Sequence, residues 1–163
     1  MGFEIREMER GDWDDVKSIY SWALENENLT FHRKCPEYAV WDTGHLKDCR
    51  YVALADGKVI GFCALSPTSV REPYRGVVEL SVYFDRRYRG MGIGTRLVSY
   101  LAAESEKKGY WCIFAVVFAN NPASINMLKK CGFREIGYRE KIAKDKFGVW
   151  QDTVLLERRN SIM

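Results

Sequence analysis

The sequence predicts a mixed α/β fold in which one twisted central sheet of about seven strands is flanked by about four helices. Strand-like runs and helical repeats alternate along the chain, which favours this architecture. An apolar run, Trp111 to Phe118, is typical of a strand buried on both faces. The 163 residues, 47% of them hydrophobic and 29% charged, are enough for one sizeable core. Because there is no internal repeat or flexible linker, we expect residues 1–163 to form a single domain.

The N-terminal quarter predicts one strand and two helices. Polar and apolar residues alternate from Phe3 to Glu7, which indicates a strand. Asp12 is a suitable N-cap for the helix that follows. In that helix the apolar residues recur at helical spacing: Trp13, Val16, Ile19, Tyr20, Ala23 and Leu24. The stretch from Asn26 to Cys49 is less regular, and we expect a second short helix after Pro36.

The next segments predict a hairpin and a third strand. Arg50 to Ala55 and Lys58 to Leu65 are strand-like, and the Asp56-Gly57 pair between them is a strong hairpin signal. Ser66 to Tyr74 is a polar connection. It leads to Val77 to Phe84, a run rich in β-branched and aromatic residues that indicates another strand.

The C-terminal half alternates helices and strands. An amphipathic helix is expected from Thr95 to Lys108, with Gly109 as its stop signal. After the apolar strand, Asn121 caps a further helix, which has Pro122 in its first turn and ends at Cys131-Gly132. Two strand-like runs, Phe133 to Ile142 and Trp150 to Glu157, follow, and the polar turn Ala143 to Gly148 joins them.

Composition excludes several classes of function. The five cysteines are scattered without a C-x-x-C spacing, and there are only two histidines, so we expect neither a disulfide framework nor a metal site. A net charge of +3 is too small to indicate nucleic acid as a partner. No run approaches the ~18 apolar residues of a membrane span. The charged, alternating N-terminus is unlike a secretory signal, so we expect a cytoplasmic protein that does not associate with membranes.

A glycine-rich segment between a predicted strand and a predicted helix indicates a phosphate site. In Arg89-Gly90-Met91-Gly92-Ile93-Gly94 the glycines lack a Cβ on alternate residues, so the backbone can turn sharply and approach a ligand. The helix that follows directs unpaired N–H groups and a partial positive charge at its start. Arg86 and Arg87 add positive charge nearby. Together these features favour a phosphate or pyrophosphate.

Three alternatives compete with this interpretation. The glycines alone could form a tight turn surrounded by solvated arginines. A Walker loop requires Lys-Ser/Thr after its last glycine, whereas Thr95-Arg96 follows here. A dinucleotide fingerprint opens the first strand–helix unit of a domain, whereas these glycines lie in mid-chain. What remains is the pattern Arg-x-x-Gly-x-Gly after a strand.

That pattern resembles the acetyl-CoA pyrophosphate loop of the GNAT acetyltransferase superfamily. Asn121-x-x-Ser124 and Gly132-Phe133 add to the resemblance, and the order of elements is similar over nearly the whole chain. The resemblance implies a GNAT-like fold, with Asn121 acting both as a helix cap and as a cofactor contact. It implies acetyl-CoA as co-substrate, bound by Leu80, Ser81, Val82, Arg87, Arg89, Gly90, Met91, Gly92, Ile93, Gly94, Thr95, Asn121 and Ser124.

Further segments resemble the phosphinothricin acetyltransferase-like branch of that superfamily. They are Asn28 to Phe31, Arg71-x-x-Tyr74-Arg75, Val78 to Tyr83, and Lys146-Phe147-Gly148-x-Trp150-x-Asp152. The branch implies direct transfer, in a ternary complex, to the α-amino group of a small amino acid or an analogue such as phosphinothricin or methionine sulfoximine. It also implies a homodimer and a substrate site that includes Phe31, Arg71, Tyr74, Arg75, Lys146 and Trp150.

Glu79 is the candidate catalytic base. An amine with a pKa of ~7.7–8.0, as for α-amino groups in peptides, is mostly protonated at neutral pH and needs an acceptor for its proton. A carboxylate within the apolar strand Val77 to Phe84 is costly unless it has a partner or a task, although Glu79 could also lie on a solvent face. The resemblance implies that the sheet splays beside this strand, and that backbone N–H groups around Leu80 to Val82 stabilise the thioester oxygen.

One position departs from the branch. Seven residues beyond Asn121 the branch carries a histidine, and many other GNAT members carry a tyrosine, whereas this chain has Leu128. Leucine cannot exchange a proton, so Tyr83 and Tyr138 are possible substitutes. Two alternative functions therefore stay open. One is an acetyltransferase for a peptide or protein N-terminus or another small amine, and the other is a non-catalytic CoA-binding module. Exposed tryptophans would suit a dimer interface, the candidates being Trp22, Trp41 and Trp111.

Overall fold

The structure, a computed structural model, describes residues 2–161 and contains the predicted elements in the predicted order. Their ends lie within two residues of the expected positions. The strands are β1 Glu4–Glu7, β2 Tyr51–Ala55, β3 Lys58–Pro67, β4 Val77–Phe84, β5 Cys112–Phe118, β6 Arg134–Lys144 and β7 Trp150–Arg159. The helices are α1 Trp13–Asn26, α2 Tyr38–Gly44, α3 Ile93–Lys107 and α4 Pro122–Lys130.

All seven strands belong to one mixed sheet of order β1-β2-β3-β4-β5-β7-β6. Neighbouring strands are antiparallel except β4 and β5, which are parallel. The turn between β2 and β3 is the expected two-residue one, because Asp56 and Gly57 both have positive φ, at 50° and 76°. The mixed α/β architecture predicted from the sequence is confirmed.

The sheet divides between β4 and β5. These two strands pair only from Val77 to Glu79, opposite Cys112 to Phe114. Beyond Glu79, β4 continues to pair with β3, and β5 continues to pair with β7. The facing edges of β4 and β5 therefore separate, and alternate backbone groups along each edge have no neighbouring strand to bind. A wedge-shaped gap opens at the centre of the sheet.

Each face of the sheet is covered by its own apolar core. Helices α3 and α4 pack on one face through residues such as Leu97, Leu101 and Leu128. Helices α1 and α2 pack on the other face through residues such as Trp13 and Val16. Strand β5 is buried on both faces, as predicted, except at Val116, which is 43% exposed because it borders the gap.

Two sequence expectations are corrected by the packing. Trp41 is only 2% exposed and packs against Trp13, at 5.4 Å between ring centroids, so it is part of the core and cannot serve an interface. Asp12 precedes α1, but its side chain does not cap the helix. Its carboxylate instead accepts hydrogen bonds from the Arg6 guanidinium at 2.7 and 2.9 Å and from the Glu9 amide at 2.7 Å, which ties β1 to the start of α1.

Candidate active site

The gap between β4 and β5 opens into a cavity of about 520 Å³. Its walls come from four parts of the chain: the segment after α1, the second half of β4 with the glycine loop and the start of α3, the middle of β5, and α4. The residues that line it include Glu27, Thr30, His32, Glu79, Tyr83, Arg86, Asn121, Ser124, Met127, Leu128 and Lys130. The sheet topology thus brings together segments that are far apart in the sequence.

The glycine loop has the geometry of a phosphate cradle. Gly90 and Gly92 have φ of +79° and +78°, a left-handed conformation that favours glycine, and a Cβ on either would meet no protein atom within 4 Å. Gly92 occupies the N-cap position of α3 without a side-chain cap, so the first amides of the helix stay available. Gly94 differs from these two glycines, because a Cβ there would be in ordinary van der Waals contact with the Phe84 ring, at 3.4 Å.

The arginines beside the loop divide between two surfaces. Arg86 lines the cavity, and its Nε lies 3.3 Å from Oε2 of Glu27. Arg87 turns away and binds both oxygens of Asp85, at 2.7 Å for the closest pair. Arg89 and Met91 are exposed and do not line the cavity. Burial raises the pKa of the Glu27 carboxyl, and the charge of Arg89 partly opposes that rise. Of these arginines, Arg86 is the one that lines the cavity. For it the sequence predicted only a contribution to the local positive charge.

Glu79 lies at the point where β4 and β5 separate. It is the last β4 residue paired with β5, it is half-buried, and its side chain lines the cavity. Burial raises the pKa of the Glu79 carboxyl, and the nearby charge of His32 partly opposes that rise. A carboxylate with a raised pKa is a stronger base than an exposed glutamate. The position predicted for a base is therefore one where a carboxylate can accept a proton from a group held in the cavity.

The rest of β4 supplies both backbone and side chains to the cavity. Leu80, Ser81 and Val82 line it, as predicted for a cofactor site. Tyr83 lines it as well, with its ring 4.7 Å from that of Tyr20. Burial raises the pKa of Tyr83 still further above neutral pH. Its hydroxyl lies beside those of Tyr20 and Thr30, so its proton is directed toward those neighbours.

Helix α4 closes the far side of the cleft. The side-chain oxygen of Asn121 accepts a hydrogen bond of 3.3 Å from the Ser124 amide, which confirms the predicted cap, and both side chains line the cavity. Leu128 is 2% exposed and is packed in the core, so this position offers no proton. Tyr138 is remote from the cavity, on β6, where its hydroxyl donates to Asp152. Of the two tyrosines proposed as substitutes, Tyr83 is therefore the one in the cleft.

Arg71, Tyr74 and Arg75, predicted to bind substrate, lie in and beside a short 3₁₀ turn before β4. All three are exposed and outside the cavity lining. Arg71 stacks on Tyr74 at 5.8 Å, and Arg75 lies over the ring of Trp111 at 5.2 Å. They are at the end of β4 opposite the glycine loop, beside the half of the strand that carries Glu79.

The predicted residues Phe31, Lys146 and Trp150 also lie outside the cavity lining. Phe31 packs on Phe118, at 4.7 Å between centroids. The Lys146 ammonium donates hydrogen bonds of 2.7 Å to the carbonyl oxygens of Leu24 and Glu27, which favours a supporting role over direct substrate contact. Trp150 is exposed on the β6–β7 hairpin, and Lys144 lies over its ring.

Sequence reasoning missed two ionisable side chains of the cleft, Glu27 and His32. Both come from the irregular stretch after α1, where no periodicity indicates which residues face inward. Only the tertiary contacts of that stretch place them beside β4. The Asn28 amide donates a hydrogen bond of 2.9 Å to Asp145, in the turn between β6 and β7. A distant turn therefore determines what lines the cavity.

Within residues 2–161 no three or more histidine, cysteine or acidic side chains are grouped in a way that could hold a metal ion. The five cysteines are buried and form no disulfides among themselves. In the same part of the chain, no helix is long and apolar enough to cross a membrane.

Comparisons with known proteins agree with this geometry. At 37% identity over 165 residues, the chain is similar to a phosphinothricin N-acetyltransferase of Alcaligenes faecalis, covering 94% of this chain and 81% of that protein. It is 26% identical over 163 residues to an L-methionine sulfoximine/L-methionine sulfone acetyltransferase of Pseudomonas paraeruginosa, covering 96% and 94% of the two chains.

A solved structure agrees over almost the whole chain. It is a GNAT superfamily phosphinothricin acetyltransferase from Sinorhizobium meliloti in complex with acetyl-CoA, which superposes with a TM-score of 0.89 at 28% identity and covers 98% of this chain and 89% of that one. The family model for the acetyltransferase (GNAT) family matches residues 13–133, which include the glycine loop, Glu79 and α4. The chain therefore belongs to the GNAT acetyltransferase family.

Proposed function

We propose that this protein transfers the acetyl group of acetyl-CoA directly to the α-amino group of a small amino acid or analogue within a ternary complex. The observation that carries the proposal is the position of Glu79, in one cavity with the glycine loop and at the point where the sheet opens. The substrate class is supported by relatives that act on phosphinothricin and methionine sulfoximine. Pairing of all seven strands in one sheet supports a single domain.

The cleft residues fit acetyl-CoA. Gly90 and Gly92 leave the space that a phosphate needs, and the α3 amides from Ile93 onward would bind its oxygens. The free edge of β4, from Leu80 to Val82, would bind an extended polar chain through its backbone. Asn121 and Ser124 would border that chain from α4. When bound, acetyl-CoA supplies an acetyl group activated as a thioester.

Glu79 would take the proton that keeps the amine from reacting. Its half-buried carboxylate has a raised pKa, so it can accept a proton from an ammonium group directly or through one water. Backbone N–H groups on the free edge of β4 would stabilise negative charge on the carbonyl oxygen.

The exposed basic turn before β4 would bind the substrate carboxylate. Guanidinium groups bind carboxylates through two parallel hydrogen bonds, and Arg71 has no acidic partner within salt-bridge distance among the described residues, whereas Arg75 pairs with Glu72 at 3.1 Å. Arg71 and Tyr74 are therefore the stronger candidates. Phe31 packs on Phe118 at the far end of β5 and Trp150 begins β7 near that end, so these two residues are the weaker candidates for substrate contact.

We place a homodimer interface on the β6–β7 hairpin. Strand β6 is an edge strand of the sheet, and unprotected edges favour pairing with another chain. Its hairpin exposes several large apolar side chains: Ile136, Tyr138, Ile142, Phe147, Val149 and Trp150. An apolar group of this size on an edge is typical of a protein–protein interface, and a second copy would cover the same patch.

The test is turnover on a panel of amines by a thiol-release assay. We expect acetylation of small amino acids or their analogues, and weaker acetylation of peptides with the same N-terminal residue. Replacement Glu79→Gln should lower kcat by about 10²–10⁴-fold and leave the Kd for acetyl-CoA nearly unchanged. Preference for peptides would favour the N-terminal acetyltransferase alternative. Tight acetyl-CoA binding without turnover of any amine would favour the non-catalytic module.

A further inference from the structure

His32 lines the same cavity as Glu79, and neither the family resemblance nor the sequence assigned it a role. It is exposed at the mouth of the cleft, on the segment between α1 and α2. Burial raises the pKa of the Glu79 carboxyl, and a positive charge on His32 would oppose that rise, so the two groups are electrostatically coupled. On the basis of the proposed acetyl transfer, we propose that His32 is the group through which Glu79 passes its proton to solvent.

The chemistry needs such an exit. An ammonium group that becomes an amide gives up two protons, of which the thiol product retains one. The other has to leave the cleft. It moves from the ammonium nitrogen to the Glu79 carboxylate, then from the Glu79 carboxyl to the neutral imidazole of His32, and then from the imidazolium to buffer. Each transfer breaks one bond to hydrogen and forms one, and it returns Glu79 to its ionised form for the next turnover.

Imidazole is the side chain that most readily both accepts and releases a proton near neutral pH. His45, the other histidine, is outside the cavity, stacked on Trp41 at 4.4 Å between centroids and bound to its carbonyl. Leu128, where the branch carries its histidine, is apolar. His32 therefore supplies an imidazole to this cleft from the segment after α1 instead of from α4.

The other titratable groups around the cavity are less suited to the relay. Glu27 forms an ion pair with Arg86, at 3.3 Å, so both side chains already have a partner of opposite charge. Tyr83 has a pKa raised by burial, so it does not exchange a proton at neutral pH. Lys130 is on the α4 side, at the exposed end of that helix. His32 is thus the imidazole that both shares the cavity with Glu79 and is exposed to solvent.

The segment that carries His32 is held in place at several points. Lys146 binds the carbonyl of Glu27 at 2.7 Å, and Asn28 binds Asp145 at 2.9 Å. Phe31 packs on Phe118. The His32 backbone amide donates to the Thr30 hydroxyl at 3.3 Å. These contacts keep the imidazole at the cavity mouth, although the side chain itself is exposed.

The test is chemical rescue of His32→Ala. In a dilute buffer without imidazole, at saturating acetyl-CoA, we expect kcat to fall by about 10²-fold, the lower end of the range of acid–base contributions. Added imidazole should restore kcat in proportion to its neutral form, so rescue increases with pH up to full deprotonation of imidazole. Lys34→Ala is the matched control, since Lys34 is exposed on the same segment and outside the cavity. It should change neither kcat nor its response to imidazole.

The outcomes separate this inference from the proposed function. If His32→Ala keeps wild-type kcat, or loses activity that imidazole does not restore, His32 is not the proton exit, while the acetyltransferase assignment stands as long as Glu79→Gln is impaired. If the wild-type protein acetylates no amine although it binds acetyl-CoA, the proposed function fails, and the role of His32 fails with it. Rescue specific to His32→Ala supports the relay, because a purely structural role would not respond to imidazole.

Discussion

Lys146, in the turn between β6 and β7, donates a hydrogen bond of 2.7 Å to the backbone carbonyl oxygen of Glu27, 119 residues earlier in the chain. The same ammonium group binds the Leu24 carbonyl at the end of α1, where the last carbonyls have no partner within the helix. Next to it, Asp145 accepts from Asn28 at 2.9 Å and from Gln151 at 2.9 Å. These hydrogen bonds lower the pKa of the Asp145 carboxyl. The hairpin thereby holds the segment that lines the cleft.

Replacing Lys146 should therefore loosen the amine side of the cleft and spare the cofactor side. In Lys146→Met the carbonyls of Leu24 and Glu27 lose their donor, so we expect kcat/KM for the amine to fall by up to about 10²-fold, as displaced catalytic groups do. The Kd for acetyl-CoA should change little. Steady-state kinetics, calorimetry and hydrogen exchange over residues 24–33 measure the effect.

Lys144→Met is the control for that experiment. Lys144 is a neighbouring exposed lysine whose side chain lies over Trp150 and does not bind the α1 segment. Its replacement should leave kcat/KM and exchange over residues 24–33 unchanged. Equal effects of the two substitutions would argue that the hairpin acts through its charge and not through the bonds of Lys146.

The glycine loop can be tested with two glycines of the same backbone conformation. Gly92 has φ of +78° and Gly57 has φ of +76°, and a Cβ on either would meet no protein atom within 4 Å. Alanine at either position should lower the free energy of unfolding by a similar ~1–2 kcal/mol, because both residues stay left-handed. Only Gly92 lines the cavity, so only Gly92→Ala should also weaken acetyl-CoA binding, by about tenfold or more, equivalent to at least ~1.4 kcal/mol. Equal acetyl-CoA affinity in the two variants would contradict the phosphate cradle.

The pH profile should report the environment of Glu79. Burial raises the pKa of this carboxyl, and the base has to be ionised to accept a proton, so kcat/KM should fall as the pH drops through a midpoint above that of an ordinary glutamate. Deprotonation of the amine adds its own dependence at higher pH. A series of substrates with different amine pKa values separates the two dependences. The acidic limb of the pH profile, which belongs to Glu79, should stay at the same pH, whereas the limb that belongs to the amine should move with the amine pKa. An acidic midpoint at the value of an exposed glutamate would contradict the assignment.

The dimer interface can be tested through its apolar hairpin. The double substitution of Ile136→Lys and Ile142→Lys places two like charges on the exposed face of β6, and we expect it to convert a dimer into a monomer in light-scattering measurements, because an unpaired buried charge opposes association. Val70→Lys is the control, since Val70 is fully exposed on the β3–β4 connection. A dimer that persists in the double variant would place the interface elsewhere.

Local sequence signals were sufficient for the elements, and tertiary contacts were needed for the site. The Asp56-Gly57 hairpin, the Asn121 cap and the glycine loop were predictable because each depends on a backbone conformation that a few adjacent residues impose. The different positions of the Arg86 and Arg87 side chains were not predictable, because nothing in the sequence distinguishes two adjacent arginines. Asp85 binds one of them and Glu27 the other.

The sequence by itself determined the order of strands and helices, the phosphate loop between β4 and α3, and a carboxylate in an apolar strand at Glu79. These features follow from periodicity, from glycine's freedom at positive φ, and from the cost of placing a charge among apolar residues. Only the tertiary structure decided that β4 and β5 part after Glu79, and that Lys146 holds Glu27 and His32 at the resulting cleft. Both depend on hydrogen bonds between segments far apart in the chain, and no local pattern encodes such partners.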